Sequence, residues 1–136
     1  SFYIGKFQKV TAQLPHFFDR EKQVFEELIS HTTRDVVYTF EKAFPMLLAT
    51  HLPDYLKNIL EFSILEAFGE DKELMATIKV FLESNSNASL SAKKLYVHRN
   101  TLQYRLDKFM EKTGVNLKDF DAAVVVYLAS LYEEMR

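Results

Sequence analysis

At 136 residues, with a net charge of −2 and a composition that is 48% hydrophobic, the chain can fill one sizeable core or one small domain and part of a second, and it cannot hold a large enzyme. Having no cysteine, it excludes a disulfide framework, thiolate chemistry and Cys-based zinc sites, and it suits a reducing, cytoplasmic compartment. Three glycines and three prolines point to a mainly α globule rather than a fibrous or disordered chain, and the longest apolar runs, such as 122–128, fall far short of the roughly 20 residues that cross a bilayer.

The opening Ser1-Phe2-Tyr3-Ile4-Gly5 has neither an initiator Met nor a signal-peptide pattern and reads as the edge of a piece of a longer protein, Ser1 being a cloning remnant. Residues 2–10 are β-prone and suggest a short strand. Asp19 precedes Val24, Phe25, Leu28 and Ile29, whose spacing predicts an amphipathic helix over about 19–30 with an acidic first turn. The run Asp35 to Phe40 is a strand by β-propensity or the start of a helix reaching about His51; so short a run does not separate the two.

Pro53 fits the first turn of a helix in which Leu56, Ile59, Leu60, Ile64, Leu65 and Phe68 face inward until Gly69 ends it. Asp71 caps the next helix, with Leu74, Met75, Ile78, Phe81 and Leu82 inward, and Asn85-Ser86-Asn87 breaks it. Ser89 is the expected N-cap of a short helix, 90–96, that turns Ala92 and Leu95 toward a partner and Leu90 and Lys94 to the other side. A helix over about 98–113 follows, with Leu102, Leu106, Phe109 and Met110 inward and Gly114 closing it. Asp119 or Asp121 opens a last helix with an apolar stripe of Ala123, Val124, Tyr127, Leu128, Leu131 and Met135, wide enough either to close the core or to serve a dimer interface.

Between Leu95 and Leu106 lies the turn and second helix of a DNA-binding helix-turn-helix. With Leu102 at zero on a helical wheel, Leu106 and Phe109 fall within about 40° of it, whereas Asn100, Gln103, Tyr104 and Asp107 fall at about 100–200°. Such a recognition helix enters the major groove by its N-terminal residues. Asn and Gln bind adenine bidentately, Arg binds guanine, and Tyr offers a hydroxyl to phosphate. The candidate contacts are therefore Ser89, Lys93, Lys94, His98, Arg99, Asn100, Thr101, Gln103, Tyr104, Arg105 and Lys108. Ala92 is small where two helices cross, Val97 plugs the turn, and Tyr96 stands where such motifs often carry Gly, so a less sharp turn is expected.

An ordinary amphipathic helix with a solvated polar face has the same pattern, and local charge favours DNA over it. From Asn85 to Gly114, Lys93, Lys94, Arg99, Arg105, Lys108 and Lys112 stand against Asp107 and Glu111, an excess of about four positive charges, while residues 1–84 are net acidic by about four. His16, His31, His51 and His98 are dispersed and lack metal-ligand spacing, no nucleophile elbow or Gly-rich phosphate loop occurs, and adjacent carboxylates such as Glu26-Glu27 point to different azimuths. No catalysis, metal or cofactor is expected. Phe17, Phe18, Phe25, Phe40, Phe44, Tyr55, Phe62, Phe68 and Phe81 follow helical spacing and read as core rather than as a stacking platform for single strands.

The run Tyr96-Val97-His98-Arg99-Asn100-Thr101-Leu102-Gln103-Tyr104-Arg105-Leu106, preceded by Thr77-Ile78-Lys79-Val80-Phe81-Leu82-Glu83 and Asn87-Ala88-Ser89, resembles the C-terminal helix-turn-helix of the PucR/CdaR class of bacterial transcription regulators, the purine-catabolism and sugar-diacid regulators. The resemblance covers about residues 70–132. It departs at Gln103, commonly Arg in that class, which leaves the target sequence open. The resemblance implies a mainly α fold with a helix-turn-helix DNA-binding domain at 70–136, and a region 1–69 that ends a larger sensory region and carries one or two short strands in its first 40 residues. It also implies a homodimer on double-stranded DNA, no membrane partner, and a small-molecule effector acting through regions outside this chain. The alternative is a helical interaction or dimerisation module that does not touch DNA.

Overall fold

Helices account for most of the computed structural model, which describes residues 2–5, 12–31, 37–69 and 71–136. Two units emerge, one of residues 1–51 with 135–136 and one of residues 52–134.

In the first unit, β1 (Phe2–Ile4) pairs in parallel with β2 (Val37–Thr39), Tyr3 opposite Tyr38. Between them runs α1 (Leu14–His31), and α2 (Phe40–Thr50) follows β2 directly. The ambiguous stretch before His51 is thus both things, a three-residue strand and then a helix; its Asp35 and Val36, like the part of the 2–10 run beyond Gly5, lie outside the described residues. Helix α1 starts five residues before Asp19, because Pro15 holds the φ of a first helical turn, and that turn carries no acidic residue. Leu28, Tyr38 and Ala43 are buried together, with Tyr3, Val24, Met46 and Leu47 against them.

In the second unit, the Pro53 carbonyl accepts the N–H groups of Leu56 and Lys57 (3.0 and 3.1 Å) and so starts α3 (Asp54–Leu60). The helix widens into a π-helical turn at Glu61–Leu65 and finishes as α4 (Glu66–Phe68), where Gly69 takes a positive φ of 52°. Then come α5 (Lys72–Glu83), α6 (Ala88–Lys94), α7 (Arg99–Thr113) and α8 (Phe120–Met135). One apolar core joins them, from Leu60, Ile64 and Phe68 through Leu74, Ile78 and Phe81 to Ala92, Leu102, Phe109, Val126 and Ala129. The Phe68 ring stacks on Phe109 with centroids 5.2 Å apart, tying α4 to α7.

Several expected inward positions point outward, among them Ile29 of the predicted amphipathic stripe and Phe18, Phe44, Tyr55 and Phe62 of the aromatics read as core, and one cap moves. Ile59 is exposed with Tyr55 and Phe62: it lies before the π-helical turn and about 100° from Leu60 on the wheel, off the face on which Leu60, Ile64 and Leu65 are buried as expected. Met110, about 80° from Leu102 on the wheel, lies at the rim of the apolar face and is exposed. The buried face of α8 runs through Val126, Ala129, Ser130 and, as expected, Leu131, while Val124 is exposed. Helix α6 is capped by Asn87, whose side chain accepts the Leu90 N–H at 2.9 Å, leaving Ser89 within the first turn.

Phe109 has no exposed surface and joins two helices, so Phe109→Ala is expected to lower unfolding free energy by about 3–5 kcal/mol, read from the midpoint of a urea titration. A loss under about 1 kcal/mol would mean that this stack does not hold the unit together.

Candidate nucleic-acid interface

Helices α5, α6 and α7 pack pairwise on one another, and tight turns set their angles. After α5, Asn85 and Ser86 take φ of 56° and 59°, the Ser86 N–H bonds the Phe81 carbonyl at 3.0 Å, and the Asn85 N–H bonds that of Leu82 at 3.1 Å. After α6 the same pair of bonds recurs: Val97 N–H to Ala92 carbonyl at 3.0 Å and Tyr96 N–H to Lys93 carbonyl at 3.3 Å. Both are Schellman closures, which need a left-handed residue just past the helix. At the second, that residue is Tyr96, with φ of 54°. The turn into α7 is therefore as sharp as a glycine would make it, contrary to expectation. The backbone bonds and the packing of Val97 against the core impose the geometry that the side chain disfavours.

Helix α7 starts at a histidine cap. The Nδ1 of His98 accepts the Asn100 N–H at 3.1 Å, which in a neutral imidazole leaves the ring proton on Nε2, away from the capped backbone. Beyond it Arg99, Asn100, Thr101, Gln103 and Tyr104 are all exposed, while Leu102, Leu106 and Phe109 are buried beneath them. Gln103 Nε2 donates to Asp107 Oδ1 at 2.9 Å, one helical turn on, so its amide is oriented along the helix. Lys93 and Lys94 end α6 in exposed positions, and Ser89 is exposed on the same helix. Nine of the eleven candidate residues thus lie at the surface of α6 and the N-terminal half of α7.

The other two turn back toward the core. Arg105 donates through Nη1 to Thr77 Oγ1 at 3.1 Å and through Nη2 to the Glu73 carboxylate. Lys108 Nζ lies 3.3 Å from Asp71 Oδ2, and Lys112, a third base on this side of α7, reaches the Ala67 carbonyl at 3.4 Å. Asp71 also caps α5 by accepting the Leu74 N–H at 2.9 Å; that bond, then the Lys108 ammonium, and then the charge of Lys112 hold its carboxyl below the usual aspartate range. The local positive excess read from the sequence is accordingly divided, with Lys93, Lys94 and Arg99 facing solvent and Arg105, Lys108 and Lys112 tied to α4 and α5.

Residues 74–131 match the family model for the PucR C-terminal helix-turn-helix domain. Over 67 residues, 49% of this chain and 13% of the relative, the sequence is 45% identical to the purine catabolism regulatory protein of Bacillus subtilis (strain 168). Over 133 residues, 98% of this chain and 45% of the relative, it is 38% identical to the uncharacterized protein YxkF of the same organism. The chain spans less than half the length of the curated relatives it matches. A crystal structure of a regulator of polyketide synthase expression from Bifidobacterium adolescentis superposes with a TM-score of 0.54, covering 97% of this chain and 53% of that one; at 24% identity the likeness is one of fold.

In this segment, sequence alone misses Glu73 and Thr77 as the partners of Arg105, and His98 as a cap. The first pair lies about 30 positions upstream, with no local signal; the second follows from imidazole standing immediately before a helix start, where Ser, Thr, Asp and Asn are usual. Among the described residues no group of three or more His, Cys, Asp or Glu comes together to hold a metal ion. No helix of the described residues is long and apolar enough to cross a membrane.

Two measurements check this geometry. Tyr96 is 97% exposed, so Tyr96→Gly relieves left-handed strain without losing packing and is expected to raise stability by about 0.5 kcal/mol or more, net of the extra freedom that glycine gives the unfolded chain; a lower melting temperature would contradict it. For Asp71, a carboxyl depressed in the fold contributes stability that is present above the ordinary aspartate range and lost as pH falls through the lower folded value. Asp71→Asn keeps the capping oxygen and removes the charge, so acid titration of the melting temperature is expected to be shallower in the variant than in the parent. Parallel curves would mean that the ion pair contributes nothing to acid stability.

Proposed function

We propose that residues 70–136 bind duplex DNA sequence-specifically for a bacterial transcription regulator, with α7 lying in the major groove. The observation that carries this reading is the outward face of α7: His98, Arg99, Asn100, Thr101, Gln103 and Tyr104, flanked by Lys93 and Lys94, on a helix-turn-helix whose family is that of the purine catabolism regulators. Lys93, Lys94 and Ser89 suit phosphate contact, and Arg99, Asn100 and Gln103 suit base edges. Because one helix reads too few base pairs to select a genomic site, the protein acts as a homodimer on a two-part operator. Residues 1–69 end a larger sensory region, a small-molecule effector acts through parts of the protein beyond this chain, and the work is done in the cytoplasm without catalysis.

A second reading, a helical interaction or dimerisation module, draws on the exposed row Tyr55, Ile59 and Phe62, of which Phe62 is 77% exposed. Salt separates the two, since phosphate contacts weaken steeply as salt rises and an apolar contact does not.

Selection of duplexes from a random-sequence pool, followed by affinity measurement over a salt series, tests the proposal. Asn100→Ala is expected to lose about 1–3 kcal/mol and to relax preference at one base position, whereas Lys93→Ala weakens all duplexes alike and reduces the salt slope by about one. Unchanged binding in the double variant Arg99→Ala, Asn100→Ala would remove α7 from the groove. Failure of any duplex to enrich at low salt would hand the function to the interaction module.

A further inference from the structure

Arg105 belongs to the basic run that the sequence offers to DNA, yet its surroundings are those of an internal tie. Its side chain is only 19% exposed, whereas that of its partner Glu73 is 72% exposed. Thr77, the other partner, has no exposed surface, and its hydroxyl donates to the Glu73 carbonyl at 2.8 Å, which directs an oxygen lone pair at the Arg105 Nη1. The planar guanidinium therefore spans a charged and a neutral acceptor on successive turns of α5, a geometry that a lysine ammonium does not reproduce. On the wheel Arg105 falls about 60° from Leu102, on the side opposite Gln103, and no closer than about 100° to Asn100, Gln103 or Tyr104.

Resting on the duplex-binding reading above, we propose that Arg105 is a positioning residue, which sets the rotation of α7 on α5 through Glu73 and Thr77 and takes no part in contacting DNA. Two neighbours reinforce the assignment. Lys108 meets Asp71 and Lys112 meets the Ala67 carbonyl, so three cations along one flank of α7 all engage α4 and α5. The apolar contacts of Leu102 and Phe109 fix the distance of α7 from the core, but methyl and ring contacts tolerate a small rotation about the helix axis. A bidentate tie at the flank does not. Base readout needs side chains held within about 0.5 Å of their partners, so a small roll of α7 disturbs Asn100 and Gln103 while leaving flexible phosphate contacts in place.

The prediction separates positioning from contact by sign. With a duplex recovered from the random-sequence pool and a scrambled duplex as probes, Arg105→Lys and Glu73→Ala are each expected to lose roughly tenfold in affinity for the selected duplex, with little change for the scrambled one and no change in salt slope. The double variant Arg105→Lys, Glu73→Ala is expected to be no worse than either single one, since both act through one tie. A DNA contact at Arg105 would give the reverse: Arg105→Lys retains affinity, Glu73→Ala binds as well or better because a competing anion is gone, and Arg105→Ala lowers affinity for both duplexes and flattens the salt slope by about one. That result overturns the inference and leaves the duplex-binding reading standing. A purely structural role would lower the urea midpoint and reduce both affinities together, which also overturns it. Arg105→Ala leaves the buried Thr77 oxygen without its donor, so if it fails to fold, the decision rests on Arg105→Lys and on Glu73→Ala at an exposed carboxylate. Absence of any duplex binding by the parent chain refutes the function proposed above and this inference with it.

Discussion

The complete burial of Leu102 and Phe109 is the constraint on which the candidate interface depends, because it decides which side of α7 faces out. A fifteen-residue helix with a polar N-terminal half has little reason to hold one rotation in isolation. Two large apolar side chains sealed against α5, α6 and the Phe68 ring supply that reason to within a small roll, and the polar residues from Arg99 to Tyr104 take their general direction from them. Burial of this kind is non-directional in its chemistry but directional in its geometry, since only one face of the cylinder is apolar.

Electrostatics then divides a helix that the amino-acid counts treat as uniformly basic. Residues Arg105, Lys108 and Lys112 lie on the flank that meets α4 and α5, and each finds an acceptor there. Pairing of exposed or half-exposed groups contributes modestly to stability. Its larger effect is to offset the charges of Arg105 and Lys108 with Glu73 and Asp71, so that much of the field offered to an anionic partner comes from the end of α6 and the start of α7, where Lys93, Lys94 and Arg99 are exposed.

Much of this is legible in the sequence wherever a local rule applies. Helical spacing marks α5 and α7, Asp71 marks a cap, Gly114 marks a left-handed stop, and Ala92, Val97 and Leu102 mark the crossing, the plug and the anchor of the turn. Some misses are local, as with Met110 at the rim of its wheel and Asn87 in place of Ser89 as a cap, and others depend on residues far away in the chain. Ile59 has apolar spacing but lies about 100° from Leu60, so spacing alone does not tell a rim position from a core one, and a single π-helical turn does not show in a hydrophobic pattern. Tyr96 promises a softer turn because its own preference is against a positive φ, but the backbone bonds of α6 and the Val97 contact outweigh that preference. The partners of Arg105 and Lys108 lie a whole helix upstream, beyond the reach of any spacing rule.

The left-handed residues around α6 carry a consequence for how the motif comes apart. Helix α6 is seven residues long, too short to persist alone, and its two ends are closed by turns in which Asn85, Ser86 and Tyr96 hold positive φ without being glycine. Asn visits the left-handed region readily, so the strain sits at Ser86 and Tyr96, each in a turn held by backbone bonds to the helix before it. Unwinding of α6 breaks the bonds that hold the Tyr96 turn and takes with it the exposed Lys93 and Lys94, so the turn and the charges beside it are lost together.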